Sequence, residues 1–277
     1  MDNGGSRRKY TLFGTAVMMT LALSVFFAGE AHAFTQGGVS DAGNKSQLGS
    51  TAKLKSLSGI APGTVIDPAQ IDFEDIDKYF MWWNIEEGDN LFARIDGKSY
   101  QKNDVVPVSS LKYLKLPHYN FNGQIQVGEL VVNADVKDDF LNIFKELFQA
   151  QYQIQSMYLV DNYWVGNGTD TDSASIDANN TSAFCFRPAT GSENLSWHAY
   201  GRAIDINPQQ NPYVSYRSGE AWWLHENAND YIARDTGLAH VITYDDVAYK
   251  IFINHGFLWS GDGEVIKDYQ HFEKPIQ

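Results

Sequence analysis

His198 and Asp205 are the two metal-competent side chains of the run Ser196-Trp197-His198-Ala199-Tyr200-Gly201-Arg202-Ala203-Ile204-Asp205-Ile206-Asn207. Ala203, Ile204 and Ile206 crowd the acid, so the pattern predicts a carboxylate on a strand with buried neighbours. A charge is costly there unless a cation or several donors hold it. A divalent metal would satisfy it. Zinc in catalysis takes three protein ligands and keeps a fourth position open, so a third ligand must come from elsewhere in the chain. The best candidate is His271, in Lys267-Asp268-Tyr269-Gln270-His271-Phe272-Glu273. If that segment is a strand, Tyr269, His271 and Glu273 share one face. Asp268 then reaches the same metal only if the chain turns or bulges just before His271.

The full pattern is Ser-x-His-x-x-Gly-x-Ala-x-Asp over Ser196 to Asp205, followed by an acid three residues before a His. It resembles the zinc peptidases that include VanY-type D-alanyl-D-alanine carboxypeptidases, D-Ala-D-Ala dipeptidases and bacteriophage L-alanyl-D-glutamate endopeptidases. The extension Asp205-Ile206-Asn207-Pro208-Gln209-Gln210-Asn211-Pro212-Tyr213 is most similar to the last branch. The resemblance implies Zn2+ held by His198, Asp205 and His271. It implies Asp268 as the general base that takes a proton from the attacking water and returns it to the leaving amine. It also implies Arg187 beside the scissile carbonyl, where a fixed positive charge stabilises the oxyanion. Glu273 is implied to orient His271, and is the alternative base. The implied substrates are peptidoglycan stem peptides, cut at the L-alanyl-D-glutamate bond or, alternatively, at terminal D-Ala-D-Ala. The implied fold is α+β, a small antiparallel sheet bearing the zinc site with helices packed on one side, as in hedgehog-type domains and D-Ala-D-Ala peptidases.

Two other classes compete. One is a cell-wall binding module that keeps the metal without catalysis; the pairing of Asp268 with Arg187 speaks against it. The other is a serine or cysteine hydrolase using Ser196 or Cys185, for which no base stands in a recognisable arrangement. Arg187 also has a bland reading as a surface ion pair.

The positioning elements follow from the rest of the 277 residues. Arg7, Arg8 and Lys9 precede an apolar run from Tyr10 to Ala28, and Ala31-His32-Ala33 ends it with a small-x-small pattern. That reads as a secretory signal over residues 1–33 and predicts export to the periplasm or cell envelope, with no stable membrane insertion after cleavage. The formal net charge is −13, and loss of three basic and two acidic residues with the signal makes it −14. So acidic a chain excludes nucleic acid as a natural partner. Cys185 is the only cysteine, so no intramolecular disulfide can form; between Phe184 and Phe186 it reads as a small buried hydrophobe.

Residues 34–70, rich in Gly, Ser, Thr and Asn, read as a flexible tether, and 71–277 as the peptidase domain with a lead-in over 71–125. In the lead-in, Phe73, Ile76, Tyr79 and Phe80 recur at helical spacing, which predicts that Trp82 and Trp83 are helical and buried. Gly128 to Asn133 predicts a strand. The 3.6 period of Val136, Phe140, Ile143, Phe144, Leu147 and Phe148 predicts a helix. Ile154–Val160 and Ser182–Arg187 read as strands, Gly166–Thr181 as a polar loop, and Tyr244–Gly256 as a second helix. His118, His225, His240 and His255 stand in no ligand pattern.

Overall fold

The computed structural model describes residues 52–276; the expected secretory signal over 1–33 and the start of the expected tether lie outside them. Four strands, β1 (Val65–Ile66), β2 (Met81–Asn84), β3 (Leu111–Tyr119) and β4 (Ile125–Asn133), form an antiparallel sheet in the order β1-β4-β3-β2. The long β3-β4 hairpin turns at Asn120, whose Oδ1 accepts from the amides of Asn122 and Gln124. The expected strand at residues 128–133 is the second half of β4. The expected lead-in, 71–125, ends at the first residue of β4, inside this hairpin.

The tether reading fails for its described part, residues 52–70. Leu57, Ile66 and Ile71 are buried in one cluster with Ile76, Tyr79, Ile125, Val127 and Phe148, and β1 pairs with β4. Isolated apolar anchors in a Gly-rich background carry no period, yet each fills a hole against the sheet.

After α1 (Asn90–Ile95), helix α2 (Lys137–Gln149) lays Phe140, Ile143, Phe144, Leu147 and Phe148 against the sheet. Asn133 caps the short turn that leads into it, its side chain accepting from the Asp135 amide at 3.0 Å. The expected polar loop at 166–181 contains helix α3 (Gly168–Asp177). Asn167 caps it, accepting from the Asp170 amide at 2.9 Å. Its buried side chains are Thr171, Asp172 and Ser175, so the face has no hydrophobic signature; hydrogen bonds and an ion pair hold it instead.

Residues 154–160 form no strand: after isolated bridges at Gln153 and Ser156 the chain enters a short helical turn at Val160–Tyr163. Ser182–Arg187 likewise makes only single bridges and loop hydrogen bonds. In the lead-in the helical spacing gives one 3-10 turn, Ile76–Tyr79, and then β2. Trp82 is therefore exposed on a strand, under the Lys137 ammonium at 4.1 Å.

The last third supplies β5 (Ala203–Asp205), β6 (Tyr213–Ser215), helix α4 (Val247–Asn254), β7 (Leu258–Trp259), β8 (Ile266–Asp268) and β9 (His271–Glu273). Strands β5-β9-β7 form a three-stranded antiparallel sheet and β6-β8 a two-stranded ladder. Helix α4 starts on an Asp246 cap, whose side chain accepts from Ala248 N at 2.8 Å, and is followed by Gly256 at φ 77°. Opposite residues Ile204 and Phe272, both fully buried, tie the small sheet to the main core with Phe140, Phe252 and Phe257. The architecture is thus mixed α and β with small antiparallel sheets. No helix among the described residues is long and apolar enough to cross a membrane.

Candidate metal centre

The motif turn is built residue by residue. Ser196 Oγ accepts the His198 amide at 3.3 Å and starts a 3-10 turn, Trp197–Tyr200. Gly201 ends it at φ 66°, a left-handed conformation that costs an L side chain. A Cβ there would also lie 2.7 Å from Asn133 N. Space is absent because the end of β4 clamps the turn: Asn133 N donates to Gly201 O at 2.8 Å, and Asn133 Nδ2 to Tyr200 O at 3.1 Å. Ser196 and Gly201 thus hold His198 in place, while Ala203 to Asp205 enter β5.

Antiparallel register sets Asp205 directly opposite His271. Strand alternation turns both away from Ile204 and Phe272, and His198 approaches from the adjacent turn. His198 Nε2 lies 3.1 Å from His271 Nδ1 and 3.3 Å from Asp205 Oδ1, and His271 Nδ1 lies 3.0 Å from the same oxygen. One ligand atom from each residue lies within 4.8 Å of the other two, and all three residues are buried.

The outward ring nitrogens decide what these atoms can do. His198 Nδ1 faces the Ala183 carbonyl, and His271 Nε2 faces Glu273 Oε2 at 3.0 Å. Each acceptor requires an N–H, which leaves both inward nitrogens as lone pairs in the neutral rings. Two imidazole lone pairs and a carboxylate therefore converge on one buried point, which only a cation or a proton can occupy favourably. The N, N, O donor set suits zinc, which in catalytic sites takes three protein ligands.

Without a metal the proton takes that place. Burial opposes charge on His271, but the Asp205 and Glu273 carboxylates outweigh it and raise its pKa to about 10. Burial also pushes Asp205 up, yet His198 and His271 reverse this and hold it below the usual carboxylate range.

Between β8 and β9 the chain turns at Tyr269–Gln270 and passes from one ladder to the other. That turn is the condition the sequence set for Asp268. Asp268 Oδ1 is sealed from solvent and has no hydrogen-bond partner. Burial, and then the Asp205 charge, push its pKa up to about 7, while His271, His198 and Arg187 pull it down.

Arg187 is buried and paired with Asp172 Oδ2 of α3 at 2.6 Å, so its ion pair is an interior one rather than a surface one. Its Nε is buried without a partner. The Ser196 amide donates to Arg187 O at 3.1 Å, linking the arginine to the motif turn. Asp172 carries no sequence signal, since it lies in a polar stretch without periodicity. The Ala183 carbonyl carries none either, being backbone. Arg234 also escaped the reading. It stacks on the Tyr269 ring at 4.1 Å and donates to Gln210 O and Asn211 Oδ1 at 2.7 and 2.8 Å, bracing the turn before His271.

The remaining candidates serve structure. Cys185 is buried, donates to Gly168 O at 3.5 Å, and has its thiol pKa raised by burial. Ser196 Oγ is occupied as a cap. His118 is buried beside Tyr119 O, His225 pairs with Asp177, His240 stacks on Phe121, and His255 contacts Glu146. None joins the cluster.

A family model described as D-alanyl-D-alanine carboxypeptidase matches residues 190–274. The match supports the family that the motif resembles, and suggests a hydrolase of that peptidase type. It spans His198, Asp205, Asp268 and His271, and begins three residues after Arg187. No curated protein and no solved structure matched the chain.

Proposed function

We propose that this chain is an exported zinc peptidase that cleaves peptidoglycan stem peptides at the L-alanyl-D-glutamate bond. The observation that carries it is the convergence of His198 Nε2, His271 Nδ1 and Asp205 Oδ1, with both outward ring nitrogens held by acceptors. Bound zinc would supply Lewis-acid polarisation of the scissile carbonyl and acidify water at the open position. Asp268, with a buried oxygen free of any hydrogen-bond partner, is the base that accepts the water proton and delivers it to the leaving amine. Arg187, buried and held by Asp172, brings its positive charge to the developing oxyanion. Glu273 fixes the His271 ring. The choice of bond rests on the sequence extension from Asp205 to Tyr213, and export on the pattern of residues 1–33.

Digestion of defined muropeptides, read by mass spectrometry, tests the reading. Separation of L-alanine from D-glutamate is the expected product. Release of single D-alanine would move the enzyme to the carboxypeptidase alternative, and intact substrate with zinc bound would favour the non-catalytic module.

A further inference from the structure

The β6-β8 ladder carries side chains that the metal centre does not use. Tyr213 stands opposite Asp268 and Ser215 opposite Ile266, so these four share one face. Val214 and Lys267 take the other face, Val214 in the core and Lys267 Nζ donating to Gly261 O at 3.3 Å. Ser215 also exchanges both backbone hydrogen bonds with Trp222, at 2.8 and 2.9 Å, which sets the indole on the face of Asp268. At one end of this face Asp268 Oδ1 is sealed; Tyr213 and Ile266 are half-buried, and Trp222 at the other end is 53% exposed. Asp268 therefore lies at the inner end of a surface that opens to solvent.

Arg217 follows β6, and its amide lies 3.5 Å from Ser215 Oγ. It is exposed and makes no ion pair among the described residues. Burial raises the pKa of the Tyr213 phenol, the Arg217 charge lowers it and the Asp268 charge raises it, so Tyr213 stands within the fields of both. Arg187 is committed to Asp172, and Lys267 is on the opposite face. Arg217 is the cation this face has to offer.

In the peptidase reading Asp268 returns its proton to the leaving amine, so the leaving amino acid lies on the side that Asp268 faces. At either candidate bond that residue carries a free α-carboxylate, as D-glutamate joined onward through its side chain or as terminal D-alanine. Beside Asp205 and Asp268 such a carboxylate would be repelled. A guanidinium and a hydroxyl donor next to the base offset the repulsion. We infer that Tyr213 and Arg217 form the subsite for the α-carboxylate of the leaving amino acid, the hydroxyl and guanidinium donating to it while Asp268 faces its amine. The inference rests on the peptidase reading of the metal centre.

Titration calorimetry of the zinc-loaded full chain tests it without hydrolysis, using D-glutamate against its α-amide D-isoglutamine and D-alanine against D-alaninamide. The acid of one pair should bind saturably, with its amide at least tenfold weaker, and the pair that binds identifies the leaving residue. Arg217→Met should abolish the difference within that pair, Tyr213→Phe should reduce it, and Arg217→Lys should restore part of it, all with zinc content and thermal unfolding as in wild type. No saturable binding of either acid, an amide bound as tightly as its acid, or discrimination unchanged in Arg217→Met or Tyr213→Phe would each overturn the subsite. Muropeptide hydrolysis, scored in parallel, separates the two readings. Selective binding without hydrolysis overturns the peptidase assignment alone, and hydrolysis without selective binding overturns the subsite alone.

Discussion

Asp205 and His271 face each other across one rung of the β5-β9 ladder, with Asp205 Oδ1 and His271 Nδ1 3.0 Å apart. Sheet register therefore sets the geometry of this candidate ligand pair, and a slip of one strand by one residue would put the two side chains on opposite faces. Asp205→Asn keeps the shape and removes the charge. Zinc affinity should fall by roughly 100-fold or more, in excess of changes outside the ligand shell, as measured by competition with a chromogenic chelator.

Glu273 holds the outer nitrogen of His271. Glu273→Gln should weaken zinc about 10- to 100-fold while the chain stays folded. If Glu273 were instead the base, zinc affinity would hold and only turnover would fall.

Asp268→Asn should lower kcat by about 10² to 10⁴ and leave zinc content unchanged. Parallel metal analysis and kinetics check both halves, and loss of zinc in this variant would make Asp268 a ligand rather than a base.

Arg187→Met should lower kcat by about 10² to 10³ with zinc retained. The substitution strands Asp172 in the interior, at a stability cost of about 3–5 kcal/mol. The double variant Arg187→Met with Asp172→Asn removes that stranded charge. Stability should then recover in thermal unfolding while kcat stays low.

His118 sets a pH dependence remote from the metal. Burial lowers its pKa from 6.5 to about 4, so below pH 6.5 the unfolded chain takes up a proton that the folded chain refuses. Its contribution is present above pH 6.5 and is lost as pH falls toward 4, on the order of 3 kcal/mol over that window. Denaturant melts of wild type and His118→Gln from pH 7 to 4 should converge as pH falls; parallel curves would contradict the assignment.

The sequence singled out His198 and Asp205 as candidate ligands because the motif that holds them is local. Ser196, Gly201 and the alternation of Ile204, Asp205 and Ile206 each have one structural task, and each is written in residue type. Helix α2 was legible for a similar reason, since its buried face is wholly apolar. Helix α3 was not, because Thr171, Asp172 and Ser175 form a buried polar face and period arguments count only hydrophobes. Residues 52–70 misled in the opposite direction: Leu57 and Ile66 anchor a segment whose composition resembles a linker. The partners of Arg187 and His198, Asp172 and the Ala183 carbonyl, depend on tertiary contacts that no spacing encodes.

The central claim is that His198, Asp205 and His271 together hold one zinc ion on which stem-peptide hydrolysis depends. Chelator-stripped enzyme assayed on muropeptides before and after return of one equivalent of zinc tests it most directly. Activity should vanish on stripping and return at one zinc per chain, with no recovery in His198→Ala or His271→Ala. Hydrolysis that survives complete removal of the metal would contradict the account.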